Sequence, residues 1–435
     1  YLPACYFYDK MAYEITTQYM PRFIIKGGQK LKGEIRVNGA KNAALKIIAA
    51  SLLSDEEITI NNVPDIEEVN RLLELCVEVG SKVERIDGQV VMKTEKILSD
   101  NLNPELVKKI RAAVLLIGPI LIKRGEVRLP HPGGCAIGER PIDIFVDGFK
   151  KFGVEVEESD HDYYFKAKKL KGMTFVFPKI SVTATEVLMM SATLAEGTTI
   201  LKNCACEPEI PALAEYLNSV GAKITGAGTH TIQIEGVAKL SAGTYEVIPD
   251  RVEAGGFAIL GALCGDPIRV TNCRPEHLEA LWCMFDKMGI EYKLGHDWVE
   301  VAQPKRLNSV DVVTHEYPGF ITDLQQPFTV LLTQATGISL VHETIFEGRL
   351  FYTDKLKQMG ANIIMCDPHR VIVNGPSVLY GRHLESPDLR AGFALVMAGL
   401  IAQGETLIDN IYQIDRGYEK IEERLKKIGA QIERI

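Results

Sequence analysis

The sequence predicts an α/β protein of two domains, assembled from six copies of one unit of about 70 residues, three copies to a domain. Three observations predict it. The chain has 435 residues, too many for one hydrophobic core. An amphipathic helix ending in glycine and followed by a short alternating strand recurs six times. A second, more apolar helix accompanies each copy.

The glycines are Gly80 (LCVEVGSKVER), Gly153 (GFKKFGVEVEE), Gly221 (YLNSVGAKITG), Gly289 (MFDKMGIEYKL), Gly360 (KLKQMGANIIM) and Gly429 (RLKKIGAQIER), spaced by 68 to 73 residues. Each stands where a helix needs a left-handed residue to stop, and the alternation after it has the period of a half-buried strand. The second helices are expected at 43–53, 112–122, 185–195, 254–264, 328–335 and 391–402. Apolar nearly all round and rich in small residues, they should be buried with the sheets outside them. The strand and helix order favours mixed sheets. A change of character near Pro249-Asp250-Arg251 suggests the domain border. A single ring of six or a solenoid is the competing arrangement. A sliding DNA clamp is another protein of six small α/β repeats, but it needs Lys and Arg on helices that here are apolar.

Net charge is −8 without a basic run, which argues against a nucleic-acid partner. No stretch approaches the length of apolar chain needed to span a bilayer, so no membrane insertion is expected. Nine cysteines without CxxC pairs, and scattered histidines, fit a reducing cytoplasm and no metal site. The first 22 residues lack the features of a signal peptide; Met11 and Met20 are candidate starts, and the fold is read from the residues that follow.

The segment PHPGGCAIGERPID, Pro130 to Asp143, is too rich in Pro and Gly for a regular element and reads as a lid-like loop. Cys135 within it, five residues from Arg140, is expected to be exposed and reactive. Cys76, Cys264 and Cys283 are expected to be buried small hydrophobes on helix faces. Arginines beside acids or turns (Asp250-Arg251, Arg349, Asp388-Leu389-Arg390, Asp415-Arg416) suggest guanidiniums converging on a phosphate. Lys41 and Asn42 in NGAKNAAL open a helix, where free N–H groups and a full positive charge suit an anion. P-loop and GxGxxG patterns are absent, which disfavours nucleotide hydrolysis and dinucleotide chemistry.

Taken together, NGAKNAAL, PGGCAIGERPID, TATEVLMMSATLAEGTT, EPEI, GFITDLQ, ETIFEGR, PDLRAG and IDRGYEKIEERL resemble the UDP-N-acetylglucosamine 1-carboxyvinyltransferases, enolpyruvyl transferases of bacterial wall synthesis, from about residue 23 to the end. The resemblance implies a two-domain inside-out α/β barrel: residues 22–40 begin one domain, 41–248 form the other, and 249–435 complete the first. It implies transfer of enolpyruvyl from phosphoenolpyruvate to the sugar 3′-hydroxyl with release of phosphate, and no cofactor or metal. Cys135 would supply a proton and react with fosfomycin-type epoxides, and Asp323 would accept the hydroxyl proton. Lys41, Asn42, Arg140 and Arg416 would hold phosphoenolpyruvate, with Arg349, Asp388 and Arg390 around them. The nucleotide sugar would meet Arg111, Arg140, Pro141, Ile142, Asp143, Ile144, Lys179, Ile180, Ser181, Val182, Asp323 and Ile345.

Three positions depart from the family pattern: Thr183 for Gly, Cys206 for Arg before EPEI, and Ile321 for Pro. The first two are expected to alter affinity for the sugar nucleotide or contacts of the loop, and the third to loosen the loop carrying Asp323. Alternatives are the sister transferase acting on shikimate 3-phosphate, which lacks the PGGC cysteine, and an inactive binding paralogue.

Overall fold

A computed structural model of the chain describes residues 21–132 and 142–435. Cys135, Arg140 and Pro141 therefore lie outside the described residues, as do most of the Pro130 to Asp143 segment and the chain start.

Six sheets are present among the described residues, five of four strands and one of three. Each four-stranded sheet contains one parallel and two antiparallel pairings. All six expected glycines are left-handed, with φ from 77° at Gly289 to 116° at Gly80. The expectation of mixed sheets fails once, in the purely antiparallel sheet of Glu126–Pro130, Asp162–Lys166 and Glu155–Glu158. Its parallel neighbour is reduced to one bridge, Asn101 to Arg128. The reason is local. The Asn103 side chain accepts from the N–H of Glu105 and Leu106, and Pro104 takes the first helical position, so the chain turns into a short helix instead of extending.

The small-residue helices are α1 (Lys41–Ser51), α2 (Ile117–Arg124, entered through a 3-10 turn at Arg111–Leu116), α3 (Val182–Ala192), α4 (Arg251–Cys264), α5 (Gln325–Leu332) and α6 (Leu389–Ile401). They are buried along most of their length; every residue of α4 and all of α6 but its last are buried. Gly and Ala allow this, because crowded helices leave no volume for larger groups. A Cβ on Gly256 would stand 2.9 Å from the Phe393 ring of α6. Cys76 and Cys264 are buried as expected, but Cys283 is exposed: its helix, Glu279–Met288, buries Leu281, Trp282, Phe285 and Met288, and position 283 falls outside that stripe.

The buried apolar residues fall into two clusters, one drawn from residues 40–248 and the other from 23–37 and 252–432. The chain passes between them twice, and the two passages lie side by side. Gly39 bridges Pro249, Ala40 N–H donates to Ile248 O at 2.7 Å, and Asp250 N–H donates to Asn38 O at 2.9 Å. A Cβ at Gly39 would stand 1.8 Å from Asn62 O, so only glycine fits this passage.

Asp250 holds the junction. Oδ1 accepts from the N–H of Val252 and Glu253, capping α4, and Oδ2 accepts from Lys41 N–H at 3.1 Å, the first N–H of α1. α1 has no side-chain cap from its own Ala40, so one carboxylate serves two helices that belong to different cores. Losing two caps at once, Asp250→Ala is expected to lower stability by about 2 to 4 kcal/mol, measurable by denaturant unfolding.

Candidate active site

Two charged groups stand beside this junction. In the first, Lys41 projects from the first turn of α1 and its Nζ donates to Glu68 Oε2 at 2.8 Å. Glu68 lies at the start of the helix Glu67–Glu78, in the same core. Arg416, from the other core, donates through Nη2 to the second Glu68 oxygen at 2.5 Å and through Nη1 to Gln413 at 2.9 Å. One carboxylate thus joins a lysine and an arginine more than 370 residues apart. Burial pushes the Glu68 pKa up, but Lys41 and Arg416 outweigh it and bring it down to about 2. Burial and the positive charge of Arg390 lower the pKa of Lys41 against the pull of Glu68.

In the second group, Asp323 receives Arg349 Nη2 on one oxygen at 2.7 Å and Arg390 Nε on the other at 3.0 Å. Arg349 also donates to Thr322 Oγ1, which donates in turn to Glu343. Arg390 donates to the hydroxyl of Tyr418. Burial acts to raise the Asp323 pKa, but Arg390, Arg349 and Lys41 together hold it far below the usual carboxylate range. Lys41 therefore feels both groups, which form one electrostatic neighbourhood rich in cations. Arg416 Nε is buried without a hydrogen-bond partner, a donor left over for an incoming anion.

The arginines do gather here in part, although their sequence-adjacent acids are not their partners. Asp388 caps α6 through the N–H of Arg390 and Ala391, and Asp250 caps α4 as described. Asp415 accepts from Arg434. Arg251 turns instead to Glu209 at 3.1 Å, outside the two groups. Ile321 holds a φ of −70°, one that proline would also adopt, a 3-10 turn at Thr322–Leu324 runs directly into α5, and two arginines clamp Asp323.

The sugar-nucleotide candidates occupy element ends. Arg111 opens the 3-10 turn before α2, and Asp143 opens the helix Asp143–Lys151 after Ile142, with Ile144 half-buried behind it. Lys179 and Ile180 precede Ser181, whose hydroxyl caps α3 and whose neighbour Val182 begins it. No hydrogen bond among the described residues ties Lys179, Ile180, Ser181 or Val182 to the Lys41 and Arg416 group. Ile345 N–H donates to Glu343, and Asn42 follows Lys41 in α1. Thr183 is the second residue of α3, and Cys206 Sγ lies 3.6 Å from His230 Nδ1. Sequence reasoning missed Glu68, Glu343 and Tyr418. Glu68 could have been noticed only as an acid in a first helical turn, which is ordinary dipole compensation.

A cation-rich neighbourhood set between two cores of α/β repeats suits a transferase that handles phosphorylated substrates. The family model for EPSP synthase (3-phosphoshikimate 1-carboxyvinyltransferase) matches residues 25–425. The enolpyruvyl transferase NikO from Streptomyces tendae superposes with a TM-score of 0.88 at 25% identity, over 95% of this chain and 99% of its own. EPSP synthase from Acinetobacter baumannii shares the fold, with a TM-score of 0.72 at 17% identity over 95% and 100% of the two chains. Similarity at the sequence level is much higher to the UDP-N-acetylglucosamine 1-carboxyvinyltransferases of Koribacter versatilis (46% identical, 96% of this chain and 97% of that one) and Coxiella burnetii (41%, 96% of each). The chain belongs to the UDP-N-acetylglucosamine 1-carboxyvinyltransferase family.

Proposed function

We propose that this enzyme transfers the enolpyruvyl group of phosphoenolpyruvate to the 3′-hydroxyl of UDP-N-acetylglucosamine and releases inorganic phosphate, the first committed step of peptidoglycan synthesis. The observation that carries the reading is the convergence of Lys41, Arg349, Arg390 and Arg416 around two carboxylates, in a chain so similar to enzymes of that name. Addition requires that the hydroxyl lose a proton as its oxygen bonds to C2 of the enol phosphate, while the methylene carbon gains one. Asp323 is assigned the first proton and the Cys135 thiol supplies the second. The tetrahedral intermediate keeps its phosphate against Lys41, Asn42, Arg140 and Arg416. Elimination then removes a proton from the methyl group and breaks the bond from C2 to the phosphate oxygen, which expels phosphate and re-forms the double bond as the enol ether of the sugar. Arg349, Asp388 and Arg390 shape the phosphoenolpyruvate end. Arg111, Arg140 to Ile144, Lys179 to Val182, Asp323 and Ile345 are assigned to the sugar nucleotide.

On the same reading each of the two cores is one inside-out α/β barrel, residues 41–248 forming one domain and 22–40 with 249–435 the other. The two separate clusters of buried residues and the buried small-residue helices support it. No described helix is long and apolar enough to cross a membrane, in keeping with a cytoplasmic site for the reaction.

Phosphate release from phosphoenolpyruvate is expected with UDP-N-acetylglucosamine and not with shikimate 3-phosphate. The reverse preference would shift the assignment to the sister reaction, and no release with either would favour a binding paralogue. Cys135→Ser is expected to slow transfer at least about a hundredfold with an unchanged melting temperature. Fosfomycin should add once, at Cys135, by intact mass and peptide mapping; turnover or alkylation indifferent to that cysteine would remove it from the mechanism.

A further inference from the structure

Two helices of the first core carry proposed substrate groups at their N-termini: Lys41 and Asn42 on α1, Ser181 and Val182 at the head of α3. About one and a half turns into each helix, a charged side chain meets the other: Lys46 Nζ stands 3.3 Å from Glu186 Oε2, with side chains 8% and 0% exposed. Neither charge has a part in the chemistry above. Glu186 also has both oxygens without a hydrogen bond, and Lys46 is its one ion-pair partner among the described residues. Burial, opposed by Lys46 and reinforced by Glu209 and Glu207, lifts the Glu186 pKa to about 8. Glu209 is itself engaged by Arg251, the first residue of α4.

Burying such a pair is costly, and two apolar side chains of similar volume would pack at least as well. With its pKa at about 8 the Glu186 carboxyl is largely protonated near neutral pH, so the contact is an ammonium facing a carboxyl group; such a polar contact is directional where an apolar one is not, and it fixes which points of two helices meet and at what spacing. We infer that Lys46 and Glu186 are positioning residues, a tie between α1 and α3 that sets the distance between the phosphoenolpyruvate groups at the head of one helix and the sugar-nucleotide groups at the head of the other. The inference rests on the function proposed above.

Lys46→Met, Glu186→Gln and the double variant Lys46→Met/Glu186→Met test it, each by melting temperature and steady-state kinetics against wild type. Lys46→Met strands a buried carboxyl and should melt lower. The double variant should recover most of that loss, because it removes both charges and keeps the volume, yet its KM for UDP-N-acetylglucosamine should stay about tenfold above wild type with kcat within about twofold. Recovery of both melting temperature and KM would reduce the pair to packing and overturn the inference, as would a lowered kcat with an unchanged KM. If the double variant melts low, Glu186→Gln assayed at about pH 9, above the Glu186 pKa, decides: there the same rise in KM is expected, and a wild-type KM overturns the tie. Failure of the wild-type enzyme to release phosphate with the sugar nucleotide would count against the functional reading. The tie would then be judged by calorimetric binding of UDP-N-acetylglucosamine, where about tenfold weakening is expected and unchanged affinity refutes it.

Discussion

Asp323→Ala is expected to lower kcat at least about a hundredfold and to destabilise the protein in the same stroke, because one carboxylate has two tasks. As the proposed acceptor of the hydroxyl proton, its removal deletes a general base, whose contribution is commonly 10²- to 10⁴-fold. As the shared partner of Arg349 and Arg390, both about 4% exposed, its removal leaves two nearly buried guanidiniums facing each other. Breaking a buried pair in this way costs about 3 kcal/mol or more. The two effects separate by experiment. Asp323→Asn keeps the volume and one acceptor oxygen, so it should melt closer to wild type while losing as much turnover. Equal kcat in wild type and Asp323→Asn would dismiss the base. A carboxylate held so far below its usual range is a weak base, and it gains strength when a phosphate takes a share of the same two arginines.

Glu68→Gln is expected to have the second largest effect, read as stability against pH. In the folded protein Glu68 ionises at about 2, below its ordinary 4.5, so the folded state favours the carboxylate. Its contribution is fully present above pH 4.5 and is lost as the pH falls through about 2. That difference corresponds to about 3 kcal/mol near neutrality. Glu68→Gln should therefore lose about that much stability at pH 7 and show a flatter decline between pH 4.5 and 2, by denaturant unfolding at each pH. A mutant curve parallel to wild type through that window would mean that Lys41 and Arg416 do not draw on this carboxylate.

The parts of the molecule legible in the sequence were those governed by local rules. A left-handed residue after a helix is a backbone requirement, so the six glycines marked the repeats without any alignment, and their φ values agree. Buried helices were legible because Ala and Gly leave no polar face. Ends were less so: α1, α3, α4, α5 and α6 each begin two or three residues earlier than their apolar runs, and where a side chain caps them it stands still further upstream, at Ser181, Asp250 and Asp388. Adjacency in the sequence does not give the partners. Asp250 and Asp388 stand beside arginines in the sequence, but an acid at a helix start is first a cap, and both carboxylates are taken by backbone N–H groups. The pairs that count, Glu68 with Arg416 and Lys46 with Glu186, join residues far apart in the chain, and no spacing rule could have found them.

The strand Phe23–Lys26 lies between Glu405–Asp409 and Gln431–Arg434, with Arg22 and Ile435 exchanging backbone hydrogen bonds at its end. A ribosome makes Phe23 and Ile25 about 400 residues before the strand Gln431–Arg434 that completes their side of the sheet. Residues 40–248 can condense during translation, whereas the other core must await Gln431–Arg434 with apolar surface uncovered. Termination before Gln431 would thus leave a nascent product prone to self-association, however sound its earlier portion.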